Sequence, residues 1–129
     1  MNKLNDVTEL GARILIASIF VLSGFTKIGG YAGTQGYMEA MGVPGALLPI
    51  VIVTELGGGL LIALGLWTRL TAVALAGFTL LAAVLFHRNF GDPMQMIMFL
   101  KNVAIAGAFL LLVARGAGPL SLDARRARA

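Results

Sequence analysis

The run Leu47–Leu66, LLPIVIVTELGGGLLIALGL, limits this chain more than any other stretch. It is twenty residues long and almost wholly apolar, with a single carboxylate, Glu55, near its middle. About twenty apolar residues in a helix cross the roughly 30 Å of a bilayer's hydrocarbon. A charge halfway along such a helix costs roughly 2.5–3.5 kcal/mol on insertion scales, so Glu55 is expected to face protein and to have a cationic partner. Gly57, Gly58 and Gly59 follow it directly. Residues without side chains let a second helix approach closely. The segment therefore predicts a packed polar site inside a membrane bundle.

Composition agrees with that reading. The chain has 129 residues, 58% hydrophobic and 12% charged, with a mean hydropathy of +0.89. These values exclude an ordinary soluble domain. Four spans of about twenty residues use most of the length. The expected architecture is all-α: an integral membrane four-helix bundle over residues 1–122, with helices near 8–28, 47–66, 70–86 and 94–113. The basic residues 123–129 are expected to form a disordered tail. The first span is too long for a cleaved signal peptide, carries Lys27 near its far end and lacks a clear cleavage site.

The chain contains no cysteine, which removes thiol redox chemistry, disulfides and iron–sulfur ligation by its own residues. The single histidine, His87, rules out bis-histidine haem ligation within one chain, and no haem or iron–sulfur cluster is expected. The net charge of +4 comes largely from Arg125, Arg126 and Arg128. A lipid surface is a better partner for these arginines than nucleic acid. Lys3, Arg69, Arg115 and the three tail arginines fall on the side of both termini, so the positive-inside rule predicts both termini in the cytoplasm.

Within the spans, Arg13 and Lys27 are 14 positions apart, which places them within about 40° of one helix face and about 21 Å apart along the axis. Each, taken alone, is a residue that can snorkel to the interface; their shared face argues for an interior polar stripe. Asp6 or Thr8 is expected to cap this helix. Thr34–Met41 reads either as a short interfacial helix or as an ordered loop. Pro49 is tolerable in the first turn of the second span, and Trp67 marks its interfacial end. The third span looks structural, with an Ala72/Ala76 seam. The fourth carries Lys101 and Asn102 in its first turns. Lys27, His87, Arg88 and Lys101 all belong to the half of the membrane opposite the termini, with Glu55 deeper and Arg13 nearer the cytoplasmic surface.

The arginine of the first span, GFTKI at its close, the GVP element at Gly42–Pro44, the TELGGGLLIALGLWTRL run and the Lys101–Asn102 pair together resemble the DoxX family of small membrane proteins. The likeness extends from about Thr8 to Leu122. It implies a four-helix bundle in the bacterial inner membrane and an association with quinone-linked redox systems; relatives include the small subunit of a thiosulfate:quinone oxidoreductase. By motif position, Arg13, Lys27, Glu55, Lys101 and Asn102 are the candidate polar core or ligand site, with His87 as a secondary candidate. The family is functionally uneven, and with no cysteine present any family role that uses a thiol does not transfer.

One carboxylate among several cations suits an anion, a quinone carbonyl or a proton path better than nucleophilic catalysis. No serine–histidine–acid arrangement or phosphate loop is visible, because the glycines lie inside an apolar span. Met94, Met96 and Met98 alternate near His87. Thioethers suit Cu(I), and on an extended loop they would form a copper site; on a helix they would scatter and pack as ordinary apolar residues. Three functions stay open: an accessory or quinone-binding subunit of a membrane oxidoreductase with no electron-carrying cofactor site of its own, a non-catalytic interaction module, or a small-molecule or copper-handling protein. The expected partners are the lipid bilayer, a redox partner protein and a second copy of the chain.

Overall fold

A computed structural model describes residues 2–128. The first helix, α1 (Lys3–Gly29), starts five residues before the expected Thr8. Asn2 is the reason: its side chain accepts from the Leu4 N–H at 2.9 Å and satisfies one of the unpaired donors at a helix start. Thr8, expected as a cap, instead bonds back to the Leu4 carbonyl at 2.7 Å. After Gly30 the chain forms α2 (Tyr31–Ala40), so the segment with two readings is a helix.

The second span, Gly45–Leu64, is not a uniform helix. A 3₁₀ turn at Gly45–Leu47 leads into α3 (Leu48–Ile52), then a π-helical turn at Val53–Gly57, then α4 (Gly58–Leu64). The wider turn is centred on Glu55. The third and fourth spans are α5 (Thr68–Phe86) and α6 (Pro93–Arg115). Pro93 sits at the first position of α6, where a missing N–H costs nothing, and Asp92 caps it by accepting from the Met94 N–H at 3.0 Å. All four spans are long and apolar enough to cross a membrane.

Residues Leu122–Arg128 form a further helix, α7, where the sequence suggests a disordered tail. Its start is held to the bundle. Asp123 accepts from the N–H groups of Trp67 and Thr68 at 2.7 and 2.9 Å, and its own N–H donates to the Gly65 carbonyl at 2.8 Å. Asp123 thus acts as a remote cap for α5, whose exposed donors and helix dipole both favour a carboxylate. Burial pushes the Asp123 carboxyl up, but hydrogen bonding from Thr68 and Trp67 and the charge of Arg126 outweigh it and hold the group below its ordinary range.

The helices pair as two hairpins. Along its length α1 lies against the second span, and α5 lies against α6. Bare backbone allows the first pairing. A Cβ on Gly24 would sit 2.9 Å from the Leu56 nitrogen, and one on Gly59 would sit 2.9 Å from a Val21 methyl. The hairpins meet mainly at the end that carries α7. There Ala17, Phe20, Ile62, Ala72, Leu75, Ala76, Ala106 and Phe109 form the buried core, and Phe20 meets Phe109 edge-to-face at 5.3 Å. At the opposite end, α3 and the π turn pack on α1 and α2 and make little contact with α5 or α6. The bundle is closed at one end and splayed at the other.

Candidate functional site

The splay leaves a cleft of about 490 Å³ between the hairpins. Each span contributes a polar group to it, and each does so by helical spacing. From α1 come Ser23 and Lys27, one turn apart. The π turn brings Glu55, α5 brings Thr79, and α6 supplies the stripe Met98, Lys101, Asn102 and Ile105. The remaining wall is apolar and aromatic, including Phe20, Phe78, Leu85 and Phe86.

Glu55 has the cationic partner its position demands. Lys27 Nζ lies 2.8 Å from Glu55 Oε1, while Ser23 donates to Glu55 Oε2 at 3.1 Å and accepts from Lys27 Nζ at 2.7 Å. The three residues close a ring between α1 and the π turn. The pair is sheltered: the side chains are 25% and 9% accessible for Lys27 and Glu55. The π turn belongs to this geometry. Inserting one residue into a helical turn changes the direction of the side chains that follow, and such turns recur at functional sites. Nothing in the sequence marks it except the glycines that weaken the helix next to it.

Asn102 is buried and donates to the Thr79 carbonyl at 3.3 Å. Thr79 is 3% exposed, yet its hydroxyl has no hydrogen-bond partner among the described residues. Lys101 is solvent-accessible at the cleft. His87 ends α5 and stands on the cleft rim, with Nδ1 3.0 Å from Gln95 Oε1. Lys27, Glu55, Lys101, Asn102 and His87 therefore line one space.

Arg13 does not join them. It is 1% exposed at the closed end, where its guanidinium donates to the carbonyls of Ile62 and Ala63 at 3.3 and 3.4 Å and to that of Leu120 at 2.5 Å. The first two carbonyls lie in the last turn of the second span and the third just before α7, so Arg13 ties α1 to both. The stripe on α1 is real, but its two cations serve opposite ends of the bundle. The copper reading loses its geometry as well. Residues 94–98 are helical, which turns Met96 to the opposite side from Met94 and Met98.

Sequence reasoning passed over α2 as part of the site. Thr34, Tyr37 and Met38 line the cleft. Tyr37 stacks on Phe86 with centroids 5.6 Å apart, and Gln35 donates to the Gly45 carbonyl at 3.2 Å. The helix thus roofs the splayed end. Its aromatic and methionine residues were legible as an interfacial face, but not which helix ends they would bridge.

This architecture defines a class: a four-span membrane protein with a polar-headed apolar cleft between two helical hairpins. The chain belongs to the DoxX family, whose pattern it matches over residues 9–88. It is 57% identical to the Inner membrane protein YqjF of Escherichia coli over 95% of each chain. It is 45% identical to Inner membrane protein YphA of the same organism, over 92% of this chain and 90% of that one. At greater distance, it is 33% identical to "Putative oxidoreductase CatD" of Bacillus subtilis, over 66% of this chain and 63% of that protein. No solved structure matches it. With four helices able to span a bilayer and relatives of this similarity, it is a multi-pass protein of the bacterial inner membrane.

Proposed function

We propose that the chain is a membrane subunit of a redox system that binds a quinone-type ring in the cleft, with both termini in the cytoplasm and the cleft in the outer half of the bilayer. The observation that carries this reading is the cleft itself: about 490 Å³, largely apolar, with its polar groups gathered on the helix faces around Glu55 and Lys101. An apolar ring needs an apolar slot, and its carbonyl oxygens need a few fixed donors. Asn102 and Lys101 supply donors, and Glu55 is placed to exchange a proton. In this reading electrons pass between the bound ring and a partner protein. The name of the Bacillus subtilis relative, "Putative oxidoreductase CatD", supports the same reading.

The test is titration of the purified protein in mild detergent with a short-tailed soluble quinone. Saturable binding, lost in Lys101→Ala and Glu55→Gln while helicity is retained, is the expected result. Absence of binding by the unaltered protein would refute it. The Lys27–Glu55 bridge would then be a clamp between helices in a non-catalytic module, a role its position between α1 and the π turn also fits.

A further inference from the structure

The charges and donors in the cleft are not balanced, and the imbalance has a sign. Lys27 and Glu55 neutralise each other at 2.8 Å. Lys101 has no carboxylate within 4 Å and no hydrogen bond among the described residues. It lies on the same α6 stripe as Met98, Asn102 and Ile105, eight residues inside a helix that starts at Pro93, about 12 Å along the axis. Lys101 is exposed at the cleft, and an ammonium at that depth in a membrane protein needs either an anion beside it or a reach to the interface.

Thr79 makes a second, independent argument. A buried threonine hydroxyl in a helix ordinarily bonds back to a carbonyl of the preceding turn. Thr79 lines the cleft at 3% exposure, and its buried hydroxyl has no partner among the described residues. Buried polar groups without partners are rare and costly. Asn102 spends one amide hydrogen on the Thr79 carbonyl and keeps the other. Three donors of net charge +1 therefore border one wall, and the carboxylate among the described lining residues, Glu55, is already paired with Lys27.

We infer that the natural occupant is a monoanionic amphiphile: an apolar body carrying one ionised oxygen group, which seats against Lys101 Nζ, the Thr79 hydroxyl and the Asn102 amide. This rests on the reading of the cleft as a ligand site and narrows it, since a neutral quinone would leave Lys101 uncompensated. The body has a route to the bilayer. Ile50 of α3 and Leu81 of α5 both line the cleft and are both widely exposed, on the two sides of the gap between the hairpins. A chain too long for the cleft emerges there into lipid.

Two matched pairs of probes test the charge. One is a dansylated undecanoic acid against its methyl ester. The other is a 2-hydroxy-3-alkyl-1,4-naphthoquinone, ionised at neutral pH, against its 2-methoxy analogue. Binding to the full chain in a neutral detergent is followed by fluorescence for the first pair and by absorbance for the second. The expected result is at least tenfold tighter binding of the ionised member. Lys101→Gln should abolish that preference, and Thr79→Val, which keeps the side-chain volume, should weaken the ionised member several-fold. Preference in the first pair alone identifies a carboxylate head; preference in the second alone, an acidic quinone. Equal binding of acid and neutral members overturns the inference and leaves the quinone reading standing. The same holds for a preference that survives Lys101→Gln, as when that lysine only reaches for the interface. Failure of all four probes to bind overturns both.

Discussion

Removing either charge of the Lys27–Glu55 bridge should cost far more than removing both. At 2.8 Å and an effective dielectric of about 20, the attraction is about 6 kcal/mol. Against it stands a desolvation cost of several kcal/mol for each ion. The net value of the pair is therefore small, and the loss on breaking it is large, because the surviving charge stays buried without compensation. Breaking a fully buried pair costs about 3–5 kcal/mol. Lys27 keeps a quarter of its side-chain surface accessible, so the lower end applies. We expect about 2 kcal/mol for Glu55→Gln and about 3 kcal/mol for Lys27→Met, the second larger because the charge left behind is then Glu55, the more buried of the two.

The double substitution Lys27→Met/Glu55→Gln leaves no charge behind and should fall within about 1 kcal/mol of the unaltered protein. Ser23→Ala removes one neutral donor to Glu55 Oε2 and should cost about 1 kcal/mol. The assay is reversible unfolding of the purified protein from mild detergent into SDS, followed by helical circular dichroism. Strong coupling between the two sites, with the double variant more stable than either single one, is the expected outcome. Additive losses, or single losses below about 1 kcal/mol, would show that the two groups do not form a charged pair in the folded bundle.

Three further outcomes test other joints of the structure. Gly24→Ala places a methyl group 2.9 Å from the Leu56 nitrogen and 3.0 Å from its Cβ, so α1 and the π turn must separate; a loss of about 1–3 kcal/mol in the same unfolding assay is expected, and unchanged stability would refute the close approach. The folded Asp123 carboxyl lies below its ordinary value of 3.8, so its contribution is present above that pH and is lost as pH falls through the lower, folded value. Protease protection of α7 should accordingly persist through the neutral range and weaken only in strong acid, and Asp123→Ala should remove it at every pH. Reporter fusions at the two termini should both report cytoplasm; a periplasmic C-terminus would invert the assignment of the cleft to the outer half.

How much of this was readable in advance follows the range of each interaction. The spans, the pairing demand of Glu55 and the small-residue contacts depend on apolar length and the cost of a buried charge, which a sequence displays directly. The Lys27–Glu55 bridge follows from the same cost once two helices must lie side by side. The fate of Arg13 does not. Its partners are the carbonyls of Ile62, Ala63 and Leu120, and every residue carries a carbonyl, so no residue type announces such a site. The start of α1 and the order in residues Leu122–Arg128 escaped for a related reason. One turns on which of several capping side chains wins, and the other on a carboxylate that caps a helix 55 positions away in the chain. The π turn is subtler still, since five residues of VTELG carry no signal that separates it from an ordinary turn.

The cleft is a consequence of where the chain spends its glycines and its bulk. Gly24 and Gly59 draw α1 onto the second span. Among the described residues α3 and the π turn make little contact with α5 or α6, and Phe78, Leu85, Phe86 and Met98 line the space left between the hairpins at that end. The opposite end carries the phenylalanine contact, the alanine seam, Arg13 and the Asp123 cap, which fasten both hairpins together. The tightest joint between the hairpins and most of the cleft's polar groups thereby lie toward opposite ends of the bundle. Substitutions at the closed end should unfold the bundle, while those at Lys101 or Thr79 should alter occupancy and leave folding nearly intact. Since α2 roofs the splayed end through Tyr37 and Phe86, and Ile50 and Leu81 flank an opening at the side, the occupant we propose for the cleft would enter from lipid rather than from water.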